Sequence, residues 1–134
     1  MRIYSLIAPL LLSLASAQAS GPEQILGMWL TPNGESRIKI SKCGELYCGT
    51  IAWMRNPKND VNNSDPALKG RPLTGVQIAS GFRFDGGNSF SGGKLYGPER
   101  GKTVEAKIVV NGDSIDVKVS VGVVKKTVTW TREK

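Results

Sequence analysis

Residues 103–121 read TVEAKIVVNGDSIDVKVSV, and this stretch decides the fold. Val104, Ala106, Ile108 and Val110 alternate with Glu105 and Lys107. After Asn111-Gly112-Asp113, the residues Ile115, Val117, Val119 and Val121 alternate with Asp116, Lys118 and Ser120. A period of two places one set of side chains on each face of a strand. Asn-Gly between two such runs favours the positive-φ backbone of a tight hairpin. The stretch therefore predicts two antiparallel strands, each with an apolar and a polar face.

The same rhythm recurs outward in both directions. Towards the C-terminus, Val128 and Trp130 alternate with threonines over residues 127–132. Towards the N-terminus, Val76, Ile78, Phe82 and Phe84 share a face over residues 76–84. Tyr47, Gly49, Ile51 and Trp53 share one over residues 47–53, and Ile38 and Ile40 share one over residues 36–41. Residues 25–31 and 89–96 are weaker strand candidates. Turn chemistry separates the runs: Pro32-Asn33-Gly34, Gly86-Gly87-Asn88 and the segment 98–101. About eight sequential strands with one apolar face each predict an all-β antiparallel meander. Its sheet closes over a single core and so removes its own edges.

One segment breaks the pattern. The residues from Arg55 to Arg71 are rich in Asn, Pro, Asp and Lys and carry no apolar period. Loops longer than ~12–15 residues are often functional or disordered. Lying between two good strands, this one is expected to cap or flank one end of the barrel, either as a working surface or as a tolerated connection.

The N-terminus predicts a cleavable signal peptide over residues 1–19. Arg2 precedes an apolar run from Leu6 to Ala17, too short for the ~20 residues of a membrane span. Ala15-Ser16-Ala17 and Ala17-Gln18-Ala19 both fit a signal-peptidase site. No cysteine stands just after either site, so the expectation is a periplasmic or secreted protein without a lipid anchor, and not an integral membrane protein. Residues 20–134 are the expected single domain. The whole chain carries a formal charge of +7. That balance favours acidic partners such as anionic lipid head groups, polyanionic polymers or acidic proteins. The cations are spread along the chain, and an exported protein seldom meets nucleic acid, so none is expected as a partner.

Cys43 and Cys48 are the only 2 cysteines. An oxidising compartment favours a bridge between them across a tight hairpin, contributing about 2 kcal/mol on the chain-entropy account. A redox pair or metal site is the alternative, but the spacing is not C-x-x-C and the chain has 0 histidines. No metal and no cofactor are expected.

Five motifs in order carry a resemblance over nearly the whole expected domain: Gly27-Met28-Trp29; Leu46-Tyr47-Cys48-Gly49-Thr50-Ile51-Ala52-Trp53; Arg71-Pro72-Leu73-Thr74-Gly75; Ser91-Gly92-Gly93-Lys94-Leu95-Tyr96-Gly97-Pro98-Glu99-Arg100-Gly101-Lys102-Thr103; and Thr129-Trp130-Thr131-Arg132. This order resembles the domain of unknown function 2147 family of small exported bacterial proteins. The family's pattern differs at Phe90, Gly97, Val104, Val119 and Ser120. The resemblance implies an up-and-down lipocalin-like (calycin) β-barrel. In such barrels Gly27 and Trp29 open the first strand and an arginine, here Arg132, packs over that tryptophan to close one end.

Without histidine, no Ser-His or Cys-His pair can form. The carboxylates Asp60, Asp65, Asp85, Glu99 and Glu105 stand in polar or turn contexts, with nothing in the sequence to raise their pKa. The expectation is a protein that is not an enzyme. An eight-stranded barrel can be filled by side chains or hold one small ligand. The primary expectation is a small apolar or amphipathic, lipid-like ligand among Ile51, Trp53, Ile78, Phe82, Phe84 and Ile108, with Trp53 at the mouth. The alternative is a protein-interaction or inhibitor module that uses the 55–71 loop and the basic surface.

Overall fold

Eight antiparallel strands run in sequence order around a closed barrel. They are β1 (Gly27–Leu30), β2 (Ser36–Cys43), β3 (Leu46–Met54), β4 (Gln77–Phe84), β5 (Ser89–Gly97), β6 (Lys102–Asn111), β7 (Ser114–Val121) and β8 (Val124–Arg132). The structure is a computed structural model and describes residues 21–134. The expected signal peptide lies outside the described residues. The barrel closes where β1 meets β8, with Trp29 opposite Arg132 and Leu30 opposite Thr131.

The fold stems from the alternation. Ala106, Ile108 and Val110 of β6 and Ile115, Val117 and Val119 of β7 are buried. Their neighbours in sequence, Glu105, Lys107 and Lys118, are exposed. The hairpin forms as expected, with Asn111 opposite Ser114 and Gly112 at φ 64°. A glycine at the first central position of a two-residue loop matches the strand twist. Residues 25–31, weak in the sequence, divide. Pro22–Ile25 is a short 3-10 turn and only Gly27–Leu30 is a strand.

Large side chains fill the barrel interior. Trp29, Ile38, Tyr47, Ile51, Phe82, Phe90, Ile108, Ile115, Val117 and Trp130 are all buried. The Tyr47 and Phe90 rings meet edge to face at 5.5 Å, and Phe84 lies 5.2 Å from Phe90. Gly93 makes room for this cluster, because a Cβ there would collide with the Phe82 ring. Cys43 and Cys48 are bridged with their Cα atoms 5.9 Å apart. They are diagonal rather than direct neighbours, since Cys43 faces Leu46 and Cys48 faces Ser41.

One inward placement is corrected. Ile51 pairs with Ile38, but Trp53 pairs with Arg37, so Ala52 is an extra residue in β3. A bulge of this kind reverses the facing of the residues beyond it. Trp53 therefore points outward, 38% exposed, with the Arg37 guanidinium 4.6 Å from its ring. Met54 takes the inward position and packs against the core.

Candidate functional site

The two ends of the barrel are built differently. At one end the 3-10 turn Pro22–Ile25 lies across the opening and buries Ile25 completely. The Trp29 indole donates to the Ile25 carbonyl at 2.9 Å, and the Arg132 guanidinium stacks 4.2 Å from the Trp29 ring. Arg132 also donates to the carbonyls of Leu26 (2.9 Å) and Gln24 (2.7 Å). Gly27, at φ 118°, leaves space for that guanidinium. This end is sealed.

At the other end lie the β1–β2, β3–β4, β5–β6 and β7–β8 connections. Here a cleft of about 420 Å³ opens between them. Ile38, Met54, Leu73, Ile78 and Val128 form its apolar floor and walls, and Thr31, Asn33, Glu35, Ser36, Lys58 and Glu99 contribute polar groups. Ile38 and Val128 point inward because of strand parity, Met54 because of the Ala52 bulge. Ile78 lies where β4 slips register against β3: Gly49 faces Ala79 and Thr50 faces Gln77. Leu73, only 1% exposed, comes from the long loop and is held there by the hydrogen bond its amide donates to the Lys58 carbonyl at 3.0 Å.

The long loop is a folded cap over this end. Asn59 bridges to Pro72, and the Asp60 amide donates to the Arg71 carbonyl at 2.9 Å. The Asp60 side chain is the anchor. It is 1% exposed and accepts from the Tyr96 hydroxyl (2.6 Å), the Asn63 amide (2.8 Å) and Arg71 Nε (2.9 Å). Burial pushes its carboxyl up, but the bonds from Tyr96, Asn63 and Arg71, with the Arg71 charge, outweigh that. The net position is below the ordinary carboxylate value. The Tyr96 phenol moves up, through burial and its bond to Asp60. Asn62 donates to the carbonyls of Pro98 (3.3 Å) and Glu99 (3.0 Å). Gly101, at φ 65°, lets the loop approach, because a Cβ there would collide with the Asn62 carbonyl.

The structure sorts the residues singled out in the sequence. Ile78 lines the cleft. Ile51, Phe82 and Ile108 are buried in the packed interior, with Phe84 against it, and Trp53 lies on the outer surface. Sequence reasoning missed Met54, Leu73 and Lys58 as lining residues and missed the burial of Asp60. Leu73 alone left a signal, as a large apolar residue directly after Pro72 in a polar stretch. Among the described residues, no group of three or more His, Cys, Asp or Glu side chains could hold a metal ion.

No curated protein matches the chain. Among solved structures, it is similar to the protein HP1028 from Helicobacter pylori, described as belonging to the lipocalin family. The TM-score is 0.74 at 24% identity, over 81% of this chain and 82% of that one. That likeness concerns the fold. The family described as "Uncharacterized protein conserved in bacteria (DUF2147)" matches residues 27–132, from the first barrel strand to the last, and the chain belongs to that family.

Proposed function

We propose that this protein binds one small amphipathic, lipid-like ligand in the cleft at the open end of the barrel and performs no chemistry on it. One observation carries the proposal: an opening of about 420 Å³ with an apolar floor and polar groups at its edge. Small-molecule sites have this construction, at roughly 300–1,000 Å³. The apolar part of a ligand would lie on Ile38, Met54, Leu73, Ile78 and Val128, and its polar part would face Glu35, Lys58 and Glu99. Below the cleft the interior is filled by aromatic and branched side chains, so the ligand is a short one. The buried carboxylate, Asp60, has its oxygens committed to three donors, which suits an anchor better than a general acid or base.

Export is part of the same proposal. The Cys43–Cys48 bridge fits an oxidising compartment. No helix among the described residues is long and apolar enough to cross a membrane.

The test is titration with a neutral naphthylamine-type fluorescent amphiphile, together with native mass spectrometry of protein purified from its own host. The expected result is saturable binding of one probe per chain, competed by any co-purified ligand. Val128→Trp, which fills the cleft from β8, should weaken probe binding at least about tenfold while the barrel stays folded. Saturation that is unchanged in Val128→Trp, or no saturable binding at all, would overturn the proposal.

A further inference from the structure

The β7–β8 hairpin ends in a feature that neither the barrel nor the cleft uses. Val121 and Val124 face each other across a two-residue turn, Gly122-Val123. Val123 is 101% exposed, Val124 62% and Val121 44%. Three of the seven exposed large apolar residues among those described thus stand within four consecutive positions. Isolated exposed apolar residues are ordinary, but a contiguous apolar tip marks a contact surface.

The surroundings of the tip are basic. Lys125 and Lys126 come directly after Val124, and Lys118 lies three residues before Val121. Residues 117–128 contain 0 acidic side chains. A groove of about 670 Å³ runs across the outside of β5 to β8 beside the tip, with Lys94, Lys107, Lys118 and Lys125 against a single acid, Glu105; Lys126, paired with the buried Val119, stands on the other face of β8, towards the mouth. None of these lysines forms an ion pair among the described residues, and Lys107 stands directly opposite Lys118 in the sheet. Like charges directly opposite each other destabilise a strand pair. Lys94 has Glu105 directly opposite it and Lys107 lies within electrostatic reach of Asp85, but Lys118 and Lys125 have no acid opposite them, and this surplus of positive charge favours an anionic partner. A soluble polyanion would satisfy the lysines but leave the valines in water. A surface that is anionic outside and apolar a few ångströms deeper satisfies both.

We propose that the protein docks peripherally on anionic lipid bilayers by inserting the Val121–Val124 hairpin tip at the head-group boundary, with Lys118, Lys125 and Lys126 on the lipid charges. The tip and the mouth of the cleft are at the same end of the barrel, because β7 runs towards that end and β8 away from it. Docking would face the mouth to the lipid. The proposal goes beyond the ligand reading and does not depend on it.

The experiment is vesicle co-sedimentation of protein purified from its own host, with all variants sharing the wild-type N-terminus. Vesicles of phosphatidylcholine with about one third phosphatidylglycerol should retain the protein at low salt, and vesicles of phosphatidylcholine alone should not. Raising the salt should release it, as screening predicts. Val123→Asp should lower retention at least about tenfold. So should the double variant Lys118→Glu, Lys125→Glu. Val123 is fully exposed in a turn, so its variant should keep the wild-type melting temperature. Val123→Trp should be quenched by brominated anionic lipid beyond the wild-type level. Equal binding to neutral vesicles, binding unaffected by Val123→Asp, or capture by soluble polyphosphate with no retention on anionic vesicles would each overturn the proposal. Because the probe titration needs no lipid and the sedimentation needs no cleft ligand, failure of one is distinguishable from failure of the other.

Discussion

The sealed end and the open end solve the same problem, how to finish a barrel, with opposite chemistry. At the sealed end a large apolar ring, Trp29, is 0% exposed, and the cation over it is held by backbone carbonyls. Packing dominates there and polar contacts trim it. At the open end the cap is polar, held to the strands by the Asp60, Tyr96 and Asn62 contacts. Leu73 is the cap's main apolar contribution beneath it. A packed plug shuts the barrel interior there, and the groove of about 830 Å³ at that end, between Glu23, Gln24, Asn88, Asn111, Asp113 and Arg132, lies outside it on a polar surface. A cap fastened by a few hydrogen bonds can leave an apolar floor within reach of solvent.

The sharpest way to break this comparison is Trp29→Ala. Removing a fully buried aromatic side chain costs about 3–5 kcal/mol. Denaturant unfolding should show a fall of that size, with the remaining folded protein still binding the amphiphile probe. A loss under about 1 kcal/mol would mean that the plug is dispensable and that the two ends are not different in kind.

The open end should respond less to mutation but more to pH. Tyr96→Phe removes the shortest bond to the Asp60 carboxylate, and hydrogen bonds to charged groups contribute about 1.5–3 kcal/mol. The folded pKa of Asp60 lies below its ordinary value, so its stabilising contribution is fully present above the ordinary carboxylate range. It is lost as pH falls through the folded value. Tyr96→Phe takes away a lowering interaction and should move that acid loss to higher pH. Amide hydrogen exchange of residues 58–73 against pH would track it. Identical acid profiles in wild type and Tyr96→Phe would show that this carboxylate does not hold the cap.

How local each signal is decides whether it was legible in the sequence. The β6–β7 hairpin was legible because most residues from Val104 to Val119 report their own facing, Val109 on the outer face being the exception, and Gly112 reports the turn. The Trp29–Arg132 closure needed the family resemblance, since the two residues are far apart in the chain and only the barrel brings them together. Asp60 was hidden for the same reason: its partner Tyr96 is 36 residues away, and nothing near Asp60 marks it as buried. Trp53 was misplaced because a period of two is counted through the bulge. Ala52 carries no sign that it is the extra residue, as a glycine in that position would. The lining residue Met54 was hidden as well, and Leu73 left only the faint signal of an apolar residue in a polar stretch. One depends on the bulge, the other on the path of the cap.

That bulge makes the smallest prediction the most discriminating. If alternation ran unbroken, Trp53 would line the mouth of the barrel, and Trp53→Ala would enlarge the cleft and change probe affinity. With Ala52 inserted, Trp53 lies outside, half-covered by Arg37 at 4.6 Å from its ring. An exposed pair of this kind contributes about 0.5–1 kcal/mol. Trp53→Ala should therefore lower stability by about that much and leave probe affinity within about twofold of wild type. Deleting Ala52 should do the reverse: it would return the side chain at position 53 to the inward face and displace Met54 from the cleft. A strong affinity loss in Trp53→Ala would place the tryptophan in the mouth and put the bulge, and with it the outline of the cleft, in error.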